Sequence, residues 1–387
     1  MYNDFVNFVH QLYGISDFVP LHAPCFFGNE KNFLNECIDS TFVSSVGPFV
    51  DRFEKEIAEY TGAKKAVVCV NGTNALHLAM ILSGVKKGDE ILTQPLTFIA
   101  TCNAISYIGA HPVFIDVDLD TMGLSPFTLK KWLDKNAHII GNECFNKFSG
   151  RRIKACIPMH TFGHPVHLDE LIEVCLEYKI DLIEDAAESL GSFYKGKHTG
   201  TFGSIGALSF NGNKTITTGG GGMLLFNDIK LANHAKHLST QAKVPHRWEF
   251  SHDEIGYNYR MPNINAALGC AQLENLEIII KNKRETADKY AEFFKDSFDI
   301  EFFIEPKDCR SNYWLNTILL KDINAKEDFL NYTNDNGVMT RPAWTLMNKM
   351  PMFSACQTSD LKNAIDFENR VVNIPSSFRV NVENKIG

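Results

Sequence analysis

Short apolar segments alternate with amphipathic segments between about residues 60 and 225. The apolar segments predict buried strands because they are short and bounded by turn-forming residues; they cover residues 66–70, 90–92, 112–117, 154–159, 180–184, 207–210 and 222–226. The segments between them predict helices, for example over 73–82 and 168–178. In the second helix, one face at helical spacing carries Leu168, Leu171, Ile172, Cys175 and Leu176.

Strands that alternate with helices predict an α/β fold, with a mostly parallel sheet covered by helices on both faces. Ligands of such sheets bind beyond the carboxyl ends of the strands. After residue 240 a polar, aromatic segment (244–263) leads into a predicted long helix over about 264–290. We therefore expect a helical extension over residues 1–20, a large domain over 21–255 and a smaller C-terminal α+β domain over 256–387.

Composition narrows the class of protein. The 387 residues are 44% apolar and 22% charged, which is typical of globular chains, and the net charge of -8 argues against a nucleic-acid-binding surface. The ten cysteines form no C-x-x-C pair, so neither a zinc site nor a redox dithiol is expected. The N-terminus lacks a secretory signal pattern, and no apolar run approaches the roughly 18 residues that span a membrane. These features predict a soluble, cytoplasmic protein.

Two segments that follow predicted strands carry candidate chemistry. Asn71, Gly72 and Thr73 lie where a strand ends and a helix begins, so free N–H groups there could bind a phosphate. An ordinary turn with an N-cap explains the same residues. Asp185 also follows a strand and could keep a pyridine nitrogen protonated. Its alternative is that Asp185 or the adjacent Glu184 caps the next segment.

A third segment contains Lys214, which follows the predicted strand over 207–210 and precedes four glycines at 219–222. A lysine in a partly desolvated pocket can form a Schiff base with an aldehyde, and glycines permit close backbone approach. A solvated surface lysine is the ordinary alternative, so the case for Lys214 depends on its neighbours.

Taken in order, several segments resemble those of the DegT/DnrJ/StrS family of sugar aminotransferases, which are pyridoxal phosphate (PLP) enzymes. The resemblance extends from about Pro20 to the last strand region and rests on VPLHAPCF, NGTNALHLA, PLTFIATCNAI, IEDAAESLG, GTFGSIGALSF, NKTITTGGGGM and GYNYRMPNINAALG. It implies PLP-dependent transferase fold type I. It also implies that Lys214 bonds covalently to PLP and later moves a proton between cofactor and sugar carbons.

The same resemblance implies the other cofactor contacts. Asp185 would pair with the pyridine nitrogen, and Phe98 would stack on the ring. Gly72, Thr73 and Ser209 would hold the phosphate.

The resemblance implies cofactor contacts of a different kind for Glu188 and Asn258. Glu188 stands where many relatives have Gln, beside the phenolic oxygen, and would have to be protonated to donate a hydrogen bond. Asn258 would reach the phosphate of the neighbouring subunit's cofactor, which implies a homodimer with shared active sites.

The resemblance also narrows the reaction. Residues 217–222 read TTGGGG where the family usually has TTGEGG, which is similar to a LegC-type subgroup of nonulosonic (legionaminic) acid pathways. Sugar dehydratases of this fold carry His at the lysine position, so Lys214 favours transamination. The implied substrate is a UDP- or GDP-linked 4-keto-6-deoxy hexose with an N-acetyl group, aminated by glutamate for surface sugars of the legionaminic or bacillosamine type. The alternatives are a cyclitol (inosose) aminotransferase, a sugar dehydratase or a regulatory PLP-binding protein.

Four residues are candidates for contact with the sugar nucleotide. They are Gly47 and Pro48 in VGPFV, and Arg341 and Trp344 in RPAW. An arginine could pair with a diphosphate and a tryptophan could stack on a base or sugar. A turn and a hydrophobic anchor explain these residues equally well.

Overall fold

The computed structural model describes residues 1–379 of the chain. Its helices are α1 (Tyr2–Tyr13), α2 (Glu30–Asp39), α3 (Pro48–Thr61), α4 (Gly72–Leu82), α5 (Ile99–Tyr107), α6 (Pro126–Asn136), α7 (Leu168–Tyr178), α8 (Ile229–Ser239), α9 (Asn263–Leu273), α10 (Leu276–Phe294), α11 (Ile323–Asp335) and α12 (Lys362–Arg370). Its strands are β1 (Lys65–Cys69), β2 (Glu90–Thr93), β3 (His111–Phe114), β4 (Ala137–Ile140), β5 (Glu143–Asn146), β6 (Arg152–Ile157), β7 (Asp181–Asp185), β8 (Phe193–Tyr194), β9 (Lys197–His198), β10 (Ile205–Ser209), β11 (Gly222–Phe226), β12 (Ile300–Phe302), β13 (Cys309–Arg310), β14 (Asn316–Leu320), β15 (Arg341–Pro342) and β16 (Val371–Ile374).

The main sheet has nine strands in the order β1-β11-β10-β7-β6-β2-β3, with the β4–β5 hairpin joined to β6. The strands from β10 to β3 run parallel, whereas β11 is antiparallel to both of its neighbours. All seven predicted strands are present close to their expected bounds, which confirms a mixed, mostly parallel sheet. The hairpin was not predicted because three of the four residues of β4, including Ile140, are exposed, so this strand lacks the alternation of a half-buried strand.

Helices cover both faces of this sheet because successive residues of its strands point to opposite sides. In β1, Val67 packs in a core with α4 and α8, whereas its neighbour Val68 packs in a core with α3 and α9. The helical face predicted on α7 is largely correct, since Leu168, Leu171 and Cys175 are buried. Leu176, however, is 72% exposed. It lies eight residues after Leu168, and the 3.6-residue turn of the helix places it at the edge of the buried face.

The predicted long helix over 264–290 is wrong in one respect, because it consists of two helices, α9 and α10. The chain turns between them at Glu274 and Asn275. Asn275 bonds back to the carbonyl of Ala271, and such side-chain bonds to the backbone disfavour helix interiors. The turn leaves α9 packed on α2 and α3, beside the main sheet.

A second sheet, with the order β12-β14-β16-β15, is formed by the C-terminal part of the chain. Helix α1 packs on it, so the two ends of the described chain share one core. Helix α10 joins this core to that of the main sheet: Ile279 and Ile280 belong to the main core, and Tyr290 and Phe294 to the second. Within residues 1–379 no helix is both long enough and apolar enough to cross a membrane.

Candidate active site

A cleft of about 340 Å³ lies at the carboxyl ends of the parallel strands. Its walls come from the segments that follow β1, β2, β6, β7 and β10, and from the C-terminal part of the chain through Trp314 and Trp344. The cleft contains Lys214 and Asp185. The three candidate segments are therefore adjacent in space, as the parallel sheet predicts.

One end of the cleft is the N-terminus of α4. Asn71 caps this helix, because its side chain accepts the N–H of Asn74 and its carbonyl accepts that of Ala75. The first two N–H groups, those of Gly72 and Thr73, donate to no acceptor within the described chain. The N-cap and the free N–H groups thus coexist, and these groups, at the positive end of the helix dipole, suit a phosphate.

Ser209 and the glycine run complete this end of the cleft. A Cβ on Gly72 would lie 3.2 Å from Ser209 Oγ, so the hydroxyl lies beside the start of the helix. A Cβ on Gly222 would come within 2.4 Å of the backbone of Asn71. The last glycine of the run is therefore required because β11 passes directly against the turn that begins α4.

Asp185 is buried at the end of β7 and is 3% exposed. The Thr101 hydroxyl donates to its Oδ2 at 2.7 Å, and the Ala187 N–H donates to its Oδ1 at 3.2 Å. Burial raises the pKa of Asp185 because desolvation disfavours the charged carboxylate. A cationic N–H group in the cleft would oppose that effect, so the site is suited to a protonated heterocyclic nitrogen.

Glu188 and Glu184 lie on the same segment and have opposite surroundings. Burial raises the pKa of Glu188 to about 7, despite its contact with Lys214 and the N–H that Phe162 donates to Oε2. The pKa of Glu184 lies below its ordinary value even though the residue is also buried. His160 and three backbone N–H groups of the 200–203 loop donate to Glu184, which stabilises its carboxylate. Glu184 is thus the structural acid of the pair, and Glu188 the one in the cleft.

Lys214 is not a solvated surface lysine, since its side chain is only 13% exposed. Its Nζ lies 3.2 Å from Glu188 Oε1 and 4.0 Å from the centre of the Trp314 ring. Trp314 also donates its indole N–H to the carbonyl of Asn213 at 2.6 Å. Sequence reasoning missed Trp314, because nothing local distinguishes it from an ordinary core aromatic in an apolar strand region.

Two aromatic residues predicted to contact ligands lie at the cleft, Phe98 and Trp344. Phe98 is 50% exposed, and its ring centre is 6.3 Å from that of Trp344. Trp344 also packs on Phe162 at 4.9 Å. These rings offer flat apolar surfaces at the entrance.

Four other predicted residues lie outside this cleft. Gly47 is the N-cap of α3 and lies against the Asn263 side chain, and Pro48 is the first residue of that helix. Arg341 donates to the Asn334 side chain and the Thr340 carbonyl in the second sheet. Asn258 is exposed in the segment before α9.

Together the cleft has a donor set that fits PLP. Free N–H groups and a hydroxyl lie at one end for a phosphate, and a lysine amine is available for an aldehyde. A buried carboxylate is available for a ring nitrogen, and Phe98 provides an aromatic face. Each PLP function therefore has a chemically matched partner.

Comparison with known proteins agrees with this chemistry. The sequence pattern of the DegT/DnrJ/EryC1/StrS aminotransferase family matches residues 25–385. The chain is 38% identical over 359 residues to GDP-perosamine synthase of Escherichia coli O157:H7, covering 93% of each chain. It is 38% identical over 333 residues to EpsN of Bacillus subtilis (strain 168), which is named for a PLP-dependent aminotransferase activity; the match covers 86% of this chain and 83% of EpsN. The aminotransferase TlmJ from Streptoalloteichus hindustanus has a similar structure, with a TM-score of 0.85, 26% identity and 95% coverage of both chains.

Proposed function

The chain belongs to the DegT/DnrJ/EryC1/StrS family of PLP-dependent aminotransferases, and we propose that it transfers an amino group from glutamate to the keto group of a nucleotide-linked sugar. The observation that carries this proposal is the meeting of Lys214, Asp185 and the free N-terminus of α4 in one cleft. PLP, when bound, supplies an aldehyde that carries the amino group and a ring that withdraws electrons.

Each protein group has a separate task in this proposal. The N–H groups of Gly72 and Thr73, with Ser209 Oγ, bind the phosphate. The Asp185 carboxylate keeps the ring nitrogen protonated, which strengthens the electron withdrawal by the ring. Lys214 Nζ moves a proton between the carbon that loses the amino group and the carbon that gains it.

Glu188 is placed to assist Lys214, because its Oε1 lies 3.2 Å from Nζ. With a pKa of about 7, it is partly protonated at neutral pH and can donate to the phenolic oxygen as the amide of Gln would. The raised pKa of Glu188 supports its role as a hydrogen-bond donor at this position.

For the sugar, we propose a 4-keto-6-deoxy hexose linked to GDP or UDP. The similarity to a GDP-perosamine synthase supports GDP, whereas the TTGGGG sequence supports an N-acetylated, UDP-linked sugar of the legionaminic or bacillosamine type. Trp344, at the cleft entrance, is placed to stack on the base or sugar. Gly47, Pro48 and Arg341 would contact the nucleotide only at a neighbouring subunit or after a movement, since they lie outside this cleft.

The reaction is tested by loading the enzyme with the amine form of the cofactor and adding GDP- or UDP-linked keto sugars separately. Return of the PLP absorbance together with an amino sugar detected by mass spectrometry supports the proposal. If the PLP absorbance returns on addition of a keto cyclitol but with neither nucleotide sugar, the proposed substrate is wrong and the enzyme is a cyclitol aminotransferase. Lys214→Ala should abolish turnover, whereas Lys197→Ala, which alters an exposed lysine on β9, should retain it.

We further propose a homodimer in which Asn258 completes the partner's active site. Asn258 is exposed outside the cleft of its own chain, in a segment whose Trp248, Phe250 and Ile255 are 68%, 81% and 85% exposed. Such exposed apolar residues favour burial against another subunit.

Mixed dimers of Lys214→Ala and Asn258→Ala subunits test the sharing of sites. If sites are shared, one site of the hybrid contains both native residues, and the hybrid recovers about half of wild-type activity. If each subunit uses its own Asn258, every site of the hybrid lacks one of the two residues, and activity stays at the level of the Asn258→Ala variant or below.

A further inference from the structure

A lysine with no assigned task lies behind the cleft. Lys283, in the middle of α10, is only 1% exposed. Its Nζ donates to the carbonyl of Trp314 at 3.1 Å and to that of Ser376 at 2.6 Å. Among residues 1–379 no carboxylate pairs with it, and burial lowers the pKa of Lys283 to about 7. Burying a lysine without an acidic partner lowers the stability of the fold, and the two carbonyl contacts offset part of that free energy.

Lys283 binds the segment 312–314, and this segment contacts Asn213 and Thr215, the residues on either side of Lys214. The Trp314 indole N–H donates to the carbonyl of Asn213. The Asn312 side chain donates to Thr215 Oγ1 at 3.1 Å and accepts the Trp314 N–H at 2.8 Å. Residues 312–314 therefore bind the backbone carbonyl that precedes Lys214 and the side-chain hydroxyl that follows it.

The Trp314 ring also faces the amine itself. Lys214 Nζ lies 4.0 Å from the ring centre, a distance at which an ammonium group is attracted to the face of an indole. Nζ also contacts Glu188 Oε1 at 3.2 Å. The amine is thus confined between a ring and a carboxyl group.

We propose that Trp314, held in place by Lys283, is a positioning residue that aims the Lys214 amine into the cleft. Lys283 anchors the tryptophan backbone, the indole N–H anchors the loop, and the ring face confines Nζ. The inference rests on the proposed role of Lys214 as the residue that bonds to PLP, but not on the identity of the sugar.

Two variants separate these contacts. Trp314→Phe keeps an aromatic face but removes the N–H bond to Asn213, and Lys283→Met keeps an unbranched stem but removes both bonds to carbonyls. The matched controls are Trp132→Phe, a buried tryptophan of α6, and Lys326→Met, a buried lysine of α11 whose Nζ donates to a carbonyl.

The measurement is the rate at which the apo full-length protein captures PLP, followed by borohydride reduction and identification of the modified lysine by mass spectrometry. Capture at Lys214 should slow by roughly tenfold in both test variants, because Trp314→Phe removes the indole hydrogen bond to the loop and Lys283→Met releases the backbone that positions that indole. Capture should stay within about twofold in both controls. Affinity for pyridoxamine phosphate, which cannot bond to the lysine, should remain within about twofold of wild type in all four. The pH at which the absorbance of bound PLP changes should differ from wild type in the two test variants and equal wild type in the two controls.

Different failures have different meanings. If wild type is modified at another lysine, the proposed role of Lys214 is wrong. If Lys214 is modified in wild type but both folded test variants capture PLP at the wild-type rate, the positioning role of Trp314 is overturned. A parallel loss of pyridoxamine phosphate affinity would also overturn it, because the defect would then lie in the whole cleft.

Discussion

Glu188 and Glu184 are buried glutamates four residues apart, and we predict that they titrate on opposite sides of the ordinary value of 4.5. Glu188 has one backbone N–H donor and one lysine contact, which do not offset its desolvation. Glu184 has three backbone N–H donors and a histidine, which do. Because burial is nearly equal, the contrast comes from the hydrogen bonds to each carboxylate together with the charges beside it, His160 at Glu184 and both Lys214 and Asp185 at Glu188.

The sign of the effect on stability follows from the direction of the pKa change. Folding favours protonated Glu188, so its contribution is fully present below pH 4.5 and is lost as pH rises through about 7. The change from 4.5 to about 7 corresponds to about 3 kcal/mol in the free energy of unfolding. Glu188→Gln cannot titrate, so the stability of this variant relative to wild type should rise across that pH range.

The assay is ¹³C NMR of apo protein labelled at the glutamate side-chain carboxyl carbon. One resonance should titrate with a midpoint near 7 and be absent from Glu188→Gln. The resonance assigned through Glu184→Gln should show no midpoint above 4.5. Urea unfolding of wild type and Glu188→Gln at pH 5 and pH 8 supplies the free-energy difference. A Glu188 midpoint at or below 4.5 would refute the reasoning.

Three further substitutions test other parts of the site. Asp185→Asn should lower amino transfer by roughly 10²–10³-fold while PLP is still captured, because a charge that supports the ring is lost; unchanged turnover would contradict this. Gly222→Ala should lower the free energy of unfolding in urea by about 1–3 kcal/mol, because the added Cβ would lie 2.4 Å from the Asn71 backbone. Gly220→Ala is the control and should be tolerated, because its Cβ would have no atom within 4 Å. Trp344→Ala should raise KM for the nucleotide sugar about tenfold without altering the glutamate half-reaction; an equal effect on both half-reactions would exclude stacking on the sugar nucleotide.

The main sheet was predictable from the sequence because its strands are short apolar runs between helical segments, and a parallel sheet places their following loops at one edge. Lys214 and Asp185 could therefore be expected to meet. The turn at Asn275 was missed because apolar residues continue at helical spacing on both sides of it, although the bond from its side chain to Ala271 is local. The role of Glu184 could not be predicted, since it depends on contacts with His160 and the 200–203 loop. Trp314 and Lys283 were missed for the same reason: neither residue has a local signal, and each acquires its role only through a carbonyl or ring far away in the chain.

The position of helix α10 affects the order in which parts of the protein unfold. Because its first half packs in the main core and its second half in the core of the smaller sheet, the helix gives the two cores a shared element. Partial opening of the smaller sheet would release the segment that carries Trp314 before the main sheet unfolds. In hydrogen exchange, amides of β14 and of the Lys214 loop should then become exposed together, so that loss of the cofactor precedes global unfolding.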